Sequence, residues 1–116
     1  MPGLFHLTDR ATWLAAVQAG EYRMSTRGVT LDEEGFIHCS RRHQLRAVAE
    51  LLYRDADDLV VLVIDSDKVP VPIRDEVVGP GGEVFPHIYG ALPVGAVTEV
   101  IAVGRDSEGR LTLPGE

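Results

Sequence analysis

The chain has one cysteine in 116 residues, and a lone thiol excludes an intramolecular disulfide framework. It also lacks a basic excess. Eleven Lys and Arg face 18 Asp and Glu, for a formal net charge of −7, which argues against long nucleic acids and anionic membranes as partners, since these are held chiefly by cationic side chains. Long apolar runs are missing too. The strongest, Leu59 to Ile64, is far shorter than the ~18 residues of a membrane-spanning helix. The N-terminal MPGLFHLTDR has neither the basic start nor the apolar middle of a secretion signal. The 12 glycines and seven prolines are scattered between apolar runs, so no linker or low-complexity tail divides the chain. A single domain over residues 1–116, cytoplasmic and with a small-molecule, nucleotide or protein partner, is the expectation.

What is present reads as α+β. Leu4 to Leu7 suit a short strand, and Thr8 is placed to cap a helix over 9–19 that Gly20 ends, with Trp13, Ala16 and Val17 on its inner face. Residues 21–34 read as polar and irregular. Phe36 to His38 form a short strand, and Ser40 is placed to cap a second helix over RRHQLRAVAELLY. Its Leu45, Val48, Ala49 and Leu52 recur at i, i+3, i+4 and i+7, a core-facing stripe. Strand signals dominate from Leu59: LVVLVID suits a central strand, RDEVV a weaker one and AVTEVIAV another, and GRDSEGRLTL turns into a last edge strand. Two early helices followed by several strands predict helices packed on a mainly antiparallel sheet, because a doubly wound parallel sheet needs a helix between successive strands.

Three of the four histidines, His6 in LFHLT, His38 in GFIHCS and His87 in FPHIYG, lie within or at the end of short apolar segments, and His43 lies in the charged start of the second helix. One histidine on an apolar strand is commonly a hydrogen-bonded structural residue. Three on one small sheet can be brought side by side at a cleft, and they are the candidate catalytic set. Cys39 points to the opposite strand face from His38 and fits a buried small hydrophobe rather than half of a thiolate–imidazole pair. The histidines lack the close spacing of a zinc motif, so no metal is expected. Ser40, Arg41 and Arg42 at a helix start read either as a solvated surface or as a phosphate or carboxylate seat beside His38. Arg74, Glu76 and Tyr89 are the remaining polar candidates, with Glu76 also readable as a residue on a solvated strand face.

HLT near the N-terminus, Trp13, Tyr22 followed by Ser25, GFIHCS with Gln44, and FPHIYG together resemble the small bacterial family catalogued as domain of unknown function 952, over essentially the whole chain. That family is in turn remotely similar to the ADP-ribosyltransferase fold, a split β-sheet that binds NAD. The resemblance implies that His6, with Thr8 after it, takes the ribose-binding place on the first strand. It implies that His38 and Ser40 occupy the later strand and helix start on the nicotinamide side, with Tyr22, Ser25, Arg41, Arg42 and Tyr89 as further ligand contacts. At the third position, where that fold commonly carries a glutamate, this chain offers His87. The implied activity is transfer from NAD or a related ribosyl or ribose-phosphate nucleotide, with NAD as substrate and a protein acceptor unspecified. A non-catalytic nucleotide-binding module and a metal-dependent enzyme are the competing expectations.

Overall fold

In the computed structural model, which describes residues 3–116, β1 (Gly3–Asp9) buries every side chain from Leu4 to Thr8. α1 (Arg10–Ala19) follows at once, and its cap is Asp9, whose carboxylate accepts from the Thr12 N–H at 2.8 Å. Thr8, expected in that role, is instead buried in β1, because pairing continues through Asp9 and turns the Thr8 side chain inward. Gly20 ends the helix in the left-handed conformation, φ 91°. Ala16 is buried and Trp13 packs on the core, but Val17 is exposed. Ala16 and Val17 flank Trp13 on opposite sides of the helix, and only the Ala16 side rests on the sheet.

Residues 21–34 are not irregular. They form β2 (Glu21–Tyr22), β3 (Met24–Thr26), β4 (Val29–Thr30) and α2 (Leu31–Glu34). Thr30 and Glu33 make a reciprocal capping box on α2, a pattern that T-x-x-E carries in sequence. β5 (Ile37–His38) follows. Ser40, expected to cap the second helix, forms an antiparallel bridge with Phe5 through two backbone bonds of 2.9 and 2.7 Å. The chain then turns through a 3-10 segment, Arg42–Gln44, into α3 (Leu45–Leu52). Gln44 Oε1 accepts from the Arg41 N–H at 2.8 Å, so the helix expected to open at Arg41 starts later and its first open donor is already used. The predicted stripe holds: Leu45 and Ala49 are buried, and Val48 and Leu52 pack on the same cluster.

β6 (Leu59–Asp65) is the central strand, as its apolar run predicts. It pairs antiparallel with β1 on one side and, further along the chain, with β10 (Val97–Ala102) on the other. Between them come the hairpin of β7 (Ile73–Val78) with β8 (Glu83–Ile88), and β9 (Leu92–Pro93), which pairs with β2. A final hairpin joins β11 (Gly104–Arg105) to β12 (Leu111–Thr112). The two larger sheets are β1–β6–β10 and β5–β8–β7, both antiparallel, as expected for the α+β class. They meet where the chain leaving β5 crosses onto β1 at Ser40, so the sheet is split with a seam at Phe5.

Alternation along β1 and β6 sends side chains to two cores. Leu4, Val60, Leu62 and Ile64 join Tyr22, Ile37, Cys39 and Ile88 on the α1 side, and Phe5, Leu7, Leu59 and Val61 join Leu45 and Ala49 under α3. Among the described residues no helix is long and apolar enough to cross a membrane.

Candidate functional site

In the β5–β8–β7 sheet, Ile37, Cys39 and Ile88 face the core, which leaves Phe36, His38, Phe85 and His87 for the opposite face. His38 and His87 sit directly across from each other in the β5–β8 register. In the β7–β8 hairpin Glu76 lies opposite Phe85 and Arg74 opposite His87, so Glu76 is a diagonal neighbour of His87 on the same face, within reach of a long side chain. The outcome is a chain of hydrogen bonds running across three strands. His38 Nδ1 is 3.2 Å from His87 Nε2, His87 Nδ1 is 2.7 Å from Glu76 Oε1, and the Tyr89 hydroxyl donates to the same Oε1 at 2.5 Å. The Tyr89 hydroxyl first, and His87 next, hold the Glu76 carboxyl below the usual carboxylate range.

Acceptor chemistry assigns the protons. A carboxylate oxygen only accepts, so His87 Nδ1 carries the hydrogen given to Glu76. In a neutral ring His87 Nε2 is then bare and accepts from His38 Nδ1–H, which leaves the lone pair of His38 on Nε2. That nitrogen has no hydrogen-bond partner among the described residues. Burial first, and the nearby His87 second, push His38 down to about 4, so it is neutral at physiological pH and presents a free base.

His38 and His87 line a cleft of about 430 Å³, within the range of small-molecule sites. Phe36 stacks on His87 with centroids 4.0 Å apart, and Phe85 leans on His38 at 4.9 Å. Val48, Leu51 and Leu52 of α3 form a second wall, with Leu51 80% exposed. Ser25, Thr26 and Glu34 form a third. Ser25 is only 1% exposed, and its hydroxyl is buried with no hydrogen-bond partner. No lysine or arginine lines this cleft. Among the described residues no group of three or more His, Cys, Asp and Glu side chains is arranged to hold a metal ion.

The three expected histidines do not all reach the cleft. His6 is buried behind it: its Nδ1–H donates to the His38 carbonyl at 2.7 Å, and its Nε2 accepts from the Tyr22 hydroxyl at 2.7 Å. Burial pushes His6 down to about 4, against the opposing pull of the His38 carbonyl. With both nitrogens used, His6 holds the backbone of β5 in place rather than facing a ligand. Tyr22 and Thr8 belong to this buried network, and burial raises the Tyr22 hydroxyl, an effect that its bond with Thr8 opposes. Ser40 is in the seam. Arg41 pairs with Asp75 at 2.9 Å, and the Arg42 guanidinium stacks 4.8 Å from the Phe5 ring, so these three do not converge on one anion seat. Tyr89 reaches the site through Glu76. Cys39 is fully buried on the core face, its thiol pushed up to about 12 by that burial. Glu76, a polar candidate in sequence that was also readable as a residue on a solvated strand face, is the one that joins His87 here. The turn Gly79–Gly82 (GPGG) carried the signal, because a hairpin centred there pairs Glu76 with Phe85 and thereby brings it beside His87.

The family described as "Protein of unknown function (DUF952)" matches residues 7–100. The chain belongs to the DUF952 family. The crystal structure of protein CC0527 from Caulobacter crescentus is similar, with a TM-score of 0.81, 28% identity, and 95% of this chain and 93% of that one covered. The solution NMR structure of CC0527 gives a TM-score of 0.72 at 27% identity, covering 95% of this chain and 91% of that chain. No curated protein matches the chain. Membership of DUF952 therefore supports the fold and leaves the chemistry to be read from the site.

Proposed function

We propose that the cleft is the active site of an ADP-ribosyltransferase-like enzyme that takes the nicotinamide–ribosyl end of NAD or a related ribosyl nucleotide. The observation that carries this reading is the Glu76–His87–His38 chain of hydrogen bonds, whose last imidazole, His38, lines the cleft. In the reaction the bond from the ribose C1′ to the nicotinamide nitrogen breaks, its electron pair leaves with neutral nicotinamide, and positive charge builds on the sugar. A hydroxyl of the acceptor, or water, attacks C1′ and gives its proton to His38 Nε2. His38 passes its Nδ1 proton to His87, and the charge comes to rest beside the Glu76 carboxylate. The faces of Phe36 and Phe85 suit a flat cationic ring. A cleft without lysine or arginine suits that end of NAD better than its pyrophosphate. On this reading Glu76 takes the part of the carboxylate that the ADP-ribosyltransferase fold sets against the ribose, one imidazole further back. That displacement favours a second reading, a binding module without turnover.

The test is release of nicotinamide from NAD at saturating substrate, followed by chromatography, with saturation-transfer NMR of NAD, ADP-ribose and nucleoside phosphates alongside. The wild type is expected to turn over, and His38→Ala to lose about 100-fold or more in kcat, the scale of a general base. Binding with no release of nicotinamide would establish the second reading, and no binding at millimolar ligand would overturn both.

A further inference from the structure

We propose that Gln44 is a positioning residue that fixes the separation of the cleft's two walls and thereby sets how thick a ring the cleft accepts. This rests on the reading of the cleft as a ligand site. The walls come from different parts of the chain: Val48, Leu51 and Leu52 from α3, and Phe85 and His87 from β8. β5 leaves β8 early. It pairs with β8 through Ile37 and His38, gives one more backbone bond from the Cys39 N–H to the Pro86 carbonyl, and crosses to Phe5 at Ser40. Alternate carbonyls along a strand face the same edge, so the Val84 carbonyl, two before Pro86, faces the edge that β5 has left. The Gln44 side chain takes the place of the departed strand. Its Nε2 donates to the Val84 carbonyl and to Glu83 Oε2, each at 2.7 Å, and its Oε1 accepts from the Arg41 N–H at 2.8 Å.

Burial, position and direction make this amide a spacer. Gln44 is 4% exposed, and both its amide hydrogens and its oxygen are engaged, so a turned-over amide would set its oxygen against two acceptors. It stands immediately before α3, with Val48 and Leu51 four and seven residues further on along the same helical face. Its bonds to β8 therefore hold that face of α3 toward the strand wall. Apolar side chains facing one another across water gain by closing, and Leu51, 80% exposed, is free to do so. Hydrogen bonds of fixed length at the start of the helical wall resist both that closure and any splaying. Neither Gln44 nor Val84 lines the cleft, so Gln44 acts on a ligand only through the walls it spaces.

The spacing is readable without ligand. Gln44→Glu keeps an acceptor for Arg41 but sets a carboxylate against Glu83 and the Val84 carbonyl, which is expected to push the walls apart. Ring-current shifts fall off steeply with distance. In methyl-labelled protein the Val48, Leu51 and Leu52 signals, which share the cleft with Phe36 and Phe85, are therefore expected to move, while Leu62 and Ile64 in the core on the α1 side stay. Adding Glu83→Gln, whose amide donates to the new carboxylate, is expected to bring them part of the way back. Unmoved cleft methyls, or a movement that Glu83→Gln does not reverse, overturn the proposal whatever the protein binds. Should Gln44→Glu not fold, Gln44→Met, similar in length but without these hydrogen bonds, is expected to move the same methyls, and unmoved signals there overturn it equally. The ligand arm compares nicotinamide with cyclohexanecarboxamide, the same carboxamide on a thicker, puckered ring. The wild type is expected to prefer nicotinamide about tenfold or more, and Gln44→Glu to lose most of that preference, which a change in stability alone leaves intact. An unchanged preference overturns the ring selection, and if NAD is still turned over, the proposed reaction stands without it. If neither compound binds the wild type, the ring selection falls and the methyl signals alone decide the spacing.

Discussion

Acid should unfold this protein through His6. Its ring is 3% exposed, donates to the His38 carbonyl and accepts from Tyr22, and its pKa is about 4 against 6.5 for a free histidine. The sign follows from linkage: between those two values the unfolded chain holds a proton that the folded chain refuses, so stability rises with pH there. The contribution is complete above the unfolded value of 6.5 and is lost as pH falls through about 4. At ~1.36 kcal/mol per pH unit, the gap amounts to about 3 kcal/mol, most of it gone by about pH 4.5. That is a large share of the stability of an ordinary small domain. The assay is urea unfolding at a series of pH values from neutral to about 4.5, with His6→Gln as the control. The glutamine amide keeps a donor for His38 and an acceptor for Tyr22 but does not titrate. The variant is expected to be less stable at neutral pH and to have a flatter pH profile. His38 and the lowered carboxylates contribute to both curves, so the difference between the curves isolates His6. Parallel curves for the two proteins would refute the argument.

Cys39 is expected to resist thiol reagents in the folded state and to react only on unfolding, because it is buried and its thiol is held at about 12; rapid stoichiometric labelling of the native protein would contradict this. Leu62, with no exposed surface on the central strand, should cost about 2–5 kcal/mol when cut to alanine, read as a lowered urea midpoint at unchanged slope. His38→Ala should cost about 1 kcal/mol or less, since trimming a partly buried side chain at the cleft wall opens onto the cleft rather than leaving a sealed cavity; a much larger fall in melting temperature would mean that the imidazole supports the fold rather than the site.

The parts of the fold that were legible in sequence are those in which one periodicity acts alone. The stripe Leu45, Val48, Ala49 and Leu52 and the run LVVLVID needed only helical spacing and continuous apolarity to be placed. The opposition of His38 and Cys39 followed from strand alternation. Misreadings occurred where two local signals competed. Thr8 and Asp9 are both good caps, and pairing with β6, invisible locally, decided between them. Ser40 also resembles a cap, but its backbone was claimed by Phe5 from far along the chain. Residues 21–34 are too short in each element to show a period, although Thr30 and Glu33 announced α2. The site was half legible. Its two imidazoles lie in motifs, but their partner Glu76 becomes visible only when the GPGG turn is used to set the register, and the burial of His6 depends on which face of β1 Tyr22 covers.

The seam at Phe5 and Ser40 also governs the order in which the chain can fold. β1 comes before the other described strands in the chain, yet it lies in the middle of the split sheet, with β6 on one side and Ser40 on the other. Until Asp65 has been made, it has no complete partner and α1 has no finished surface to pack on. The cleft needs β8 in addition, which comes later still. Assembly must therefore wait for most of the chain and then close long loops, the regime of high contact order and slow folding. Over that interval the apolar LFHLT segment has no strand beside it, the kind of exposed apolar stretch that makes incompletely folded chains prone to aggregate.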